Sequence, residues 1–380
     1  MHNFDTEHFL AHYWQQKPVV LKGFFNHFVD PIDEHDLAGL AQEEDVDSRI
    51  ISHTSQGWQM TCGPFQNFDA VCQGDWTLLV QGVERYIHEV ADIIEPFRFI
   101  PNWRLDDLMV SFATKDAGVG PHIDQYDVFL VQGKGKRRWQ VGKPGHYNEI
   151  FPHPALRQIE GFRPVIDEVL SPGDVLYIPP GWPHDGKALE NCLTYSVGFR
   201  APNTAQLADS LALMLDDDIA NARFSDARRT PASNPARVEE SDINALKEQL
   251  ICAINSPEFN HSLLRSLSAQ SLPEFPNDSD YDEKEILTGL HCGVTFAATP
   301  GVRPLIGPEK QLEQYPYFYV NGEQFSFDPI DIEWVMLLIN NPHINADMMA
   351  EMPGPAFIKT LTSLVNKGYW EWTEELADDH

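Results

Sequence analysis

The sequence sets a histidine and a carboxylate two residues apart in Gly120-Pro121-His122-Ile123-Asp124. It places a second histidine at the end of Pro172-Gly173-Asp174-Val175-Leu176-Tyr177-Ile178-Pro179-Pro180-Gly181-Trp182-Pro183-His184. On a strand, residues i and i+2 project from one face, so His122 and Asp124 can grip one ion together. His184 then completes a set of two imidazoles and one carboxylate. A bare His-x-Asp is weak evidence, since a core histidine beside a capping aspartate spells the same letters. The second segment adds weight, because Gly173, Pro179, Gly181 and His184 keep a G-x5-P-x-G-x2-H spacing. Gly173 and Asp174 suit a tight turn between two strands. Pro179, Pro180 and Gly181 end the strand and turn His184 inward by restricting or releasing φ. Three ligands on one side of an ion leave three adjacent positions open, the arrangement of non-haem Fe(II) oxygenases.

Hydroxylation at such an ion needs two further electrons. A 2-oxoacid chelating the iron can supply them, with dioxygen taking the last position. The far carboxylate of that cosubstrate needs a cation inside the fold, helped by hydroxyl donors. Arg137 suits the role: it opens a strand fifteen residues beyond His122, and its guanidinium can hold a carboxylate through two hydrogen bonds. Arg138 should face the other way by strand alternation. The plainer alternative makes Lys134, Lys136, Arg137 and Arg138 a solvated hairpin tip, or a chance match to a basic localisation signal. Ser111 stands mid-strand in Met109-Val110-Ser111-Phe112-Ala113, an odd place for a hydroxyl that has no partner. Thr194, Tyr195 and Ser196 offer further hydroxyls, with Ser196 a candidate substrate contact. Tyr126 shares the face of His122 and Asp124 and is a candidate wall of the substrate pocket, against ordinary barrel packing. Asp116, at a strand exit, is a candidate partner for a cationic substrate side chain, against a solvated turn carboxylate.

These residues need strands to hold them. Leu108–Thr114, Val128–Gln132, Arg137–Val141, Glu168–Leu170, Val175–Ile178 and Leu193–Phe199 are β-branched or aromatic-rich runs bounded by Gly or Pro. Gly133-Lys134-Gly135-Lys136 reads as a hairpin between two of them. Short strands with such turns argue a jelly roll or barrel. Upstream, Thr6–Gln16 reads as a helix capped by Thr6, with Phe9, Leu10, Tyr13 and Trp14 on one side, and residues 18–23 read as a strand. After residue 203 the pattern turns helical over Thr204–Ala220, Ala245–Ile254 and Phe259–Leu272. Leu207, Leu211, Leu213 and Met214 recur at helical spacing, either as core or as a face that pairs with a second copy. A polar, Pro-containing stretch, Ser225–Ser241, interrupts the helices. Ile330–Ile339, Phe357–Val365 and the terminal Gly368-Tyr369-Trp370-Glu371-Trp372 give helix, helix and aromatic strand, the pattern of a winged helix. The expected architecture is therefore α+β: an oxygenase barrel over 1–203, a helical dimerisation region over 204–272 and a winged helix over 273–380.

The chain has 380 residues, and 57 acidic against 27 basic residues give a net charge of −30. Such a charge repels nucleic acid at long range and attracts basic partners such as a ribosomal protein, although solubility alone also explains it. Acidic residues cluster in Asp30–Asp47, Asp278–Glu285 and Glu374–Asp379. The winged helix, with Glu333 and Glu351 and few Lys or Arg, is better suited to protein than to DNA. No apolar run reaches the ~18 residues of a membrane span, and the first residues lack the form of a secretory signal. The expected location is the cytoplasm. Cys62, Cys72, Cys192, Cys252 and Cys292 form neither a C-x-x-C pair nor a disulfide framework, so reduced thiols without a role are expected.

The segment around His184 resembles the second motif of cupin barrels. Three stretches are similar to the JmjC-type ribosomal oxygenases: His122–Gly133 followed by Arg137-Arg138-Trp139, Pro172–Gly181 before His184, and Ser196-Val197-Gly198-Phe199-Arg200. Trp14, Lys17-Pro18 and Ser48-Arg49-Ile50 fit as well, and the three-part layout extends the likeness over nearly the whole chain. The generic cupin motif ends in Asn four residues after its histidine, where this chain has Ala188. The resemblance implies Fe(II)- and 2-oxoglutarate-dependent hydroxylation of an arginine side chain in a large-subunit ribosomal protein. It also implies metal binding by His122, Asp124 and His184, and cosubstrate binding by Arg137 and Ser111. Three other readings stand beside it: a histidine hydroxylase, a metal cupin enzyme that needs no 2-oxoglutarate, and a non-enzymatic adaptor.

Overall fold

A computed structural model describes residues 4–212, 214, 222–227, 231, 234, 236–273, 280–348 and 352–373. The end of the helix expected over 204–220, including Leu213, lies outside them. So do part of 225–241, Asp278, Glu351 and the acidic run 374–379. The chain divides into two compact units, Met1–Ala201 and Pro202–His380.

The first unit is a jelly roll built from fourteen strands. They are β1 (Val19–Leu21), β2 (Ser48–Thr54), β3 (Gly57–Cys62), β4 (Asp75–Val80), β5 (Leu105–Ala113), β6 (His122–Ile123) and β7 (Asp127–Gln132). There follow β8 (Arg137–Gly142), β9 (Glu149–His153), β10 (Leu156–Ile159), β11 (Pro164–Leu170), β12 (Val175–Ile178), β13 (Pro183–Ala188) and β14 (Cys192–Phe199). An eight-stranded sheet runs β1-β12-β7-β14-β5-β4-β2-β3, and a four-stranded sheet runs β11-β8-β13-β6. β9 and β10 pair only with each other.

The large sheet is covered on both faces, so its strands β7, β12 and β14 are buried throughout, polar residues included. One set of alternate residues, Phe129, Val131, Tyr177, Tyr195, Val197 and Phe199, packs with Phe9, Phe24 and Phe97 from the N-terminal segments. The opposite set, including Val128, Leu130, Ser111, Thr194 and Ser196, lines a cavity shared with the small sheet. Asp127 ties the outer face together. Its buried carboxylate accepts hydrogen bonds from Tyr177 Oη at 2.6 Å, Gln15 Nε2 at 3.0 Å and Arg104 at 3.1 Å. Asp174 does similar work at the turn before β12, accepting from the backbone N–H of Gly23 and of Ser171.

Several local expectations need correction. Residues 133–136 do not close a hairpin. β7 pairs with β12 and β14, whereas β8 pairs with β11 and β13, so the turn carries the chain from one sheet to the other. Its turn chemistry is visible locally, but the choice of sheet is a tertiary matter. Lys134 there is no loose tip, since its ammonium meets Glu34 at 2.7 Å. The turn at Gly173, which has φ +86°, likewise joins strands of different sheets. The first helix spans Thr6–His12, and Asp5 rather than Thr6 caps it, accepting from His8 N–H at 2.9 Å. Leu10 faces outward at 39 % exposure.

In the second unit, helices Glu240–Ile254 and Pro257–Ser268 precede a compact module. Helices Glu283–His291, Ile332–Asn340 and Pro355–Asn366 pack with an antiparallel sheet of Thr295–Ala298, His343–Ile344 and Trp370–Thr373, a winged-helix arrangement. Among the described residues, no helix is long and apolar enough to cross a membrane. All five cysteines are free thiols.

Candidate active site

The cavity between the two sheets has a volume of about 320 Å³, within the range of small-molecule sites. His122 and His184 sit opposite one another in the β6–β13 pairing, and Asp124 follows just past the end of β6. One ligand atom from each of the three lies within 4.8 Å of the others. Asp124 Oδ2 is 3.5 Å from His184 Nε2 and 3.8 Å from His122 Nε2. The Gly181 N–H donates to the Asp124 carbonyl at 2.8 Å, so the Pro-Pro-Gly turn holds both halves of the site. Gly181 adopts φ +78°, which an L side chain would strain.

Each imidazole is oriented from behind. His122 Nδ1 lies 2.9 Å from the Gly120 carbonyl and His184 Nδ1 lies 3.0 Å from the Trp182 carbonyl. A carbonyl only accepts, so both Nδ1 atoms carry a proton and both Nε2 atoms are turned toward Asp124, where an ion would take their lone pairs. Burial, reinforced by His184, pushes the His122 imidazole down to about 4, which keeps it neutral and ligating. Burial alone would raise Asp124, but the His184 hydrogen bond and the two imidazoles bring it to about 2, so it is anionic. Two imidazole nitrogens and one carboxylate suit a divalent first-row ion.

Arg137, at the start of β8, is 4 % exposed and lines the same cavity. Its Nη1 donates to Ser111 Oγ at 3.3 Å and Thr194 Oγ1 at 3.2 Å, and its guanidinium lies 5.2 Å from the Trp139 ring centroid. Among the described residues no carboxylate forms an ion pair with it, and its Nε has no hydrogen-bond partner. Burial pushes its pKa down, yet a guanidinium remains charged. A buried cation with no ion-pair partner is costly; Asp185 acts on it only through space, so this end of the cavity fits an anion. Arg138 points away and meets Asp167 at 2.6 Å, as alternation predicts.

Ser196 and Tyr126 both line the cavity, and Tyr126 donates its hydroxyl to Asp124. Tyr195 faces the other side, donating to Asp30 at 3.0 Å. Asp116 is not brought to the site. It adopts φ +69°, is exposed, and sits 3.4 Å from Lys187 Nζ outside the cavity.

Besides Asp124, the acidic group that lines the cavity is Asp107, which is not among the residues expected from the sequence. It shares a face of β5 with Met109 and Ser111, two and four residues on. Its place on the face of β5 that carries Ser111 is the available signal. Burial, together with the nearby Glu84 and Asp106, pushes its carboxyl up to about 7. The cavity thus has an order: Arg137 with two hydroxyls at one end, the two imidazoles and Asp124, then Tyr126 and Asp107.

Comparison with known proteins gives concordant results. A family pattern described as JmjC domain matches residues 92–207, and one described as ROXA-like winged helix matches residues 245–371. The Escherichia coli (strain K12) ribosomal protein uL16 3-hydroxylase is 42 % identical over 368 residues, covering 95 % of this chain and 96 % of that protein. The X-ray structure of E. coli YcfD superposes with a TM-score of 0.90 at 40 % identity, over 98 % of this chain and 99 % of that one. A YcfD structure in complex with cobalt and 2-oxoglutarate superposes with a TM-score of 0.87 at 39 % identity, covering 97 % and 98 %.

Proposed function

This chain belongs to the JmjC-type ribosomal oxygenases, and from that premise we propose that it hydroxylates an arginine side chain of the large-subunit ribosomal protein uL16. It is a 2-oxoglutarate-dependent dioxygenase that uses Fe(II). With dioxygen, iron and 2-oxoglutarate supply the oxidation of a C–H bond, yielding succinate and carbon dioxide. In this reading His122, Asp124 and His184 hold the ion from one side. Arg137 receives the far carboxylate of 2-oxoglutarate, with Ser111 and Thr194 fixing the guanidinium in plane. Trp139 covers the face of that guanidinium and keeps water from it.

The observation that supports a cationic target is Asp107, a carboxylate lining the cavity on the far side of the three ligands from Arg137. Tyr126 offers a ring wall beside it, and Ser196 a hydroxyl. A guanidinium entering there would pair with Asp107 while its methylenes run past Tyr126 and Met109 toward the reaction centre. Asp107 takes the part first assigned to Asp116.

Mass spectrometry of uL16 from cells with and without the protein tests this reading. One added oxygen on a single arginine is the expected result. Addition on a histidine would replace the arginine assignment, and no addition anywhere on uL16 would remove the substrate. The same reading places the enzyme in the cytoplasm with its ribosomal partner. It keeps the helical region 204–272 as a pairing segment and 273–380 as an acidic protein-contact module. Ile243, Leu246, Leu250 and Ile254 stand exposed along helix Glu240–Ile254, an apolar row that a second copy would cover. Light scattering should return twice the monomer mass.

A further inference from the structure

The turn Val83–Arg85 grips β5 at two points on either side of Asp107 Cα. The Gly82 N–H donates to Asp107 Oδ2 at 3.2 Å, and the Leu108 N–H donates to Glu84 Oε2 at 2.9 Å. Glu84 is 1 % exposed, and its other oxygen lies 3.4 Å from Arg85 Nε. Gly82 holds φ +62°, a backbone conformation that L side chains rarely adopt, and a Cβ there would stand 3.0 Å from the Arg85 guanidinium. The charges facing Asp107 are therefore Glu84 and Asp106 on the negative side and Arg85 on the positive side. Tyr126 stands opposite, with Arg49 beyond it. Burial first, and then the two like charges, outweigh the Gly82 N–H and one cation already engaged with Glu84.

We infer that Glu84 is a positioning residue for the target cation. It holds the peptide next to Asp107 in place, and its charge adds to the burial that disfavours a bare Asp107 carboxylate until a cation arrives. This rests on the reading of Asp107 given above. The guanidinium adds the missing positive charge, Asp107 ionises, and its proton leaves to the buffer. A neutral side chain gains no such partner, so the arrangement discriminates by charge as well as shape. Recognition at neutral pH is then coupled to proton release, a property that a merely structural glutamate would not confer.

Calorimetry measures this directly. An arginine-containing uL16 peptide is titrated at pH 7 into the full chain loaded with Mn(II) and 2-oxoglutarate without dioxygen, in two buffers of different ionisation heat. With an Asp107 carboxyl near 7, the wild-type protein should release about half a proton per peptide bound. Glu84→Gln keeps an oxygen to accept from Leu108 and removes the charge. It should release roughly a tenth of a proton, bind within about twofold of wild type at pH 8, and bind about fivefold better than wild type at pH 6. Glu84→Ala should lose affinity at both pH values, because the Leu108 N–H is left without an acceptor. Release of the full half proton by Glu84→Gln, with release abolished in Asp107→Asn, overturns the inference about Glu84. Unchanged release in Asp107→Asn overturns instead the reading that Asp107 receives the target.

Discussion

Arg137 and Asp107 are charges of opposite sign placed in one cavity, and the fold treats them differently. Arg137 is sealed at the closed end between Trp139 and two hydroxyls, with no carboxylate pairing with it. Its charge is intrinsic, and no accessible pH removes it. Asp107 stands half-buried among acids, so its charge depends on what is beside it. A small cosubstrate of fixed negative charge suits the rigid cation, whereas a side chain delivered by a large partner suits a carboxylate that answers its arrival. The lesson is that burial alone does not define a binding group; the intrinsic pKa decides whether burial yields a permanent anchor or a titrating receptor.

The site between them should dominate any set of variants. Asp124→Ala removes the only anionic ligand and exposes two imidazoles to each other, so turnover should fall by more than about 100-fold, beyond the loss expected from an outer-sphere change. Residual turnover near wild type would detach both ends from the proposed centre. Arg137→Gln comes next. The KM for 2-oxoglutarate should rise about 10- to 100-fold, the worth of a charge-assisted hydrogen-bond pair, equally at pH 6 and pH 8. The KM for peptide should stay within about twofold.

Asp107→Asn should show the mirror image. At pH 8 the KM for peptide should rise about tenfold while that for 2-oxoglutarate is unchanged. The raised carboxyl is ionised above about 7 and protonated below it. Wild-type affinity for a cation is therefore present at high pH and lost as pH falls through 7. The gap between wild type and variant should close by pH 6; a gap independent of pH would show that Asp107 does not titrate in this range. The smallest effect belongs to Ser111→Ala, about two- to fivefold in the KM for 2-oxoglutarate, since Thr194 continues to hold the same Nη1.

Much of this contrast could be read from the chain. The His-x-Asp and Pro-Gly segments named the three side chains that converge. Strand alternation separated Arg137 from Arg138, and a hydroxyl standing mid-strand picked out Ser111, because each of these signals is local. Asp107 was not legible in the same way. Asp106-Asp107 reads as a solvated pair, and its character comes from a turn some twenty-five residues earlier in the chain. Asp116 misled for a related reason, since a positive φ at its turn sends the carboxylate to Lys187. The jelly roll itself was legible, but the strand pairing at 133–136 was not, because turn residues mark a reversal without saying which sheet receives the chain.

Anomalous diffraction from crystals of the full chain grown with Mn(II) and 2-oxoglutarate is the most direct test of the metal site on which both ends depend. One peak bounded by His122 Nε2, His184 Nε2 and Asp124, with the cosubstrate's far carboxylate on Arg137, is the predicted result. A peak elsewhere, or 2-oxoglutarate seated away from Arg137, would contradict the account.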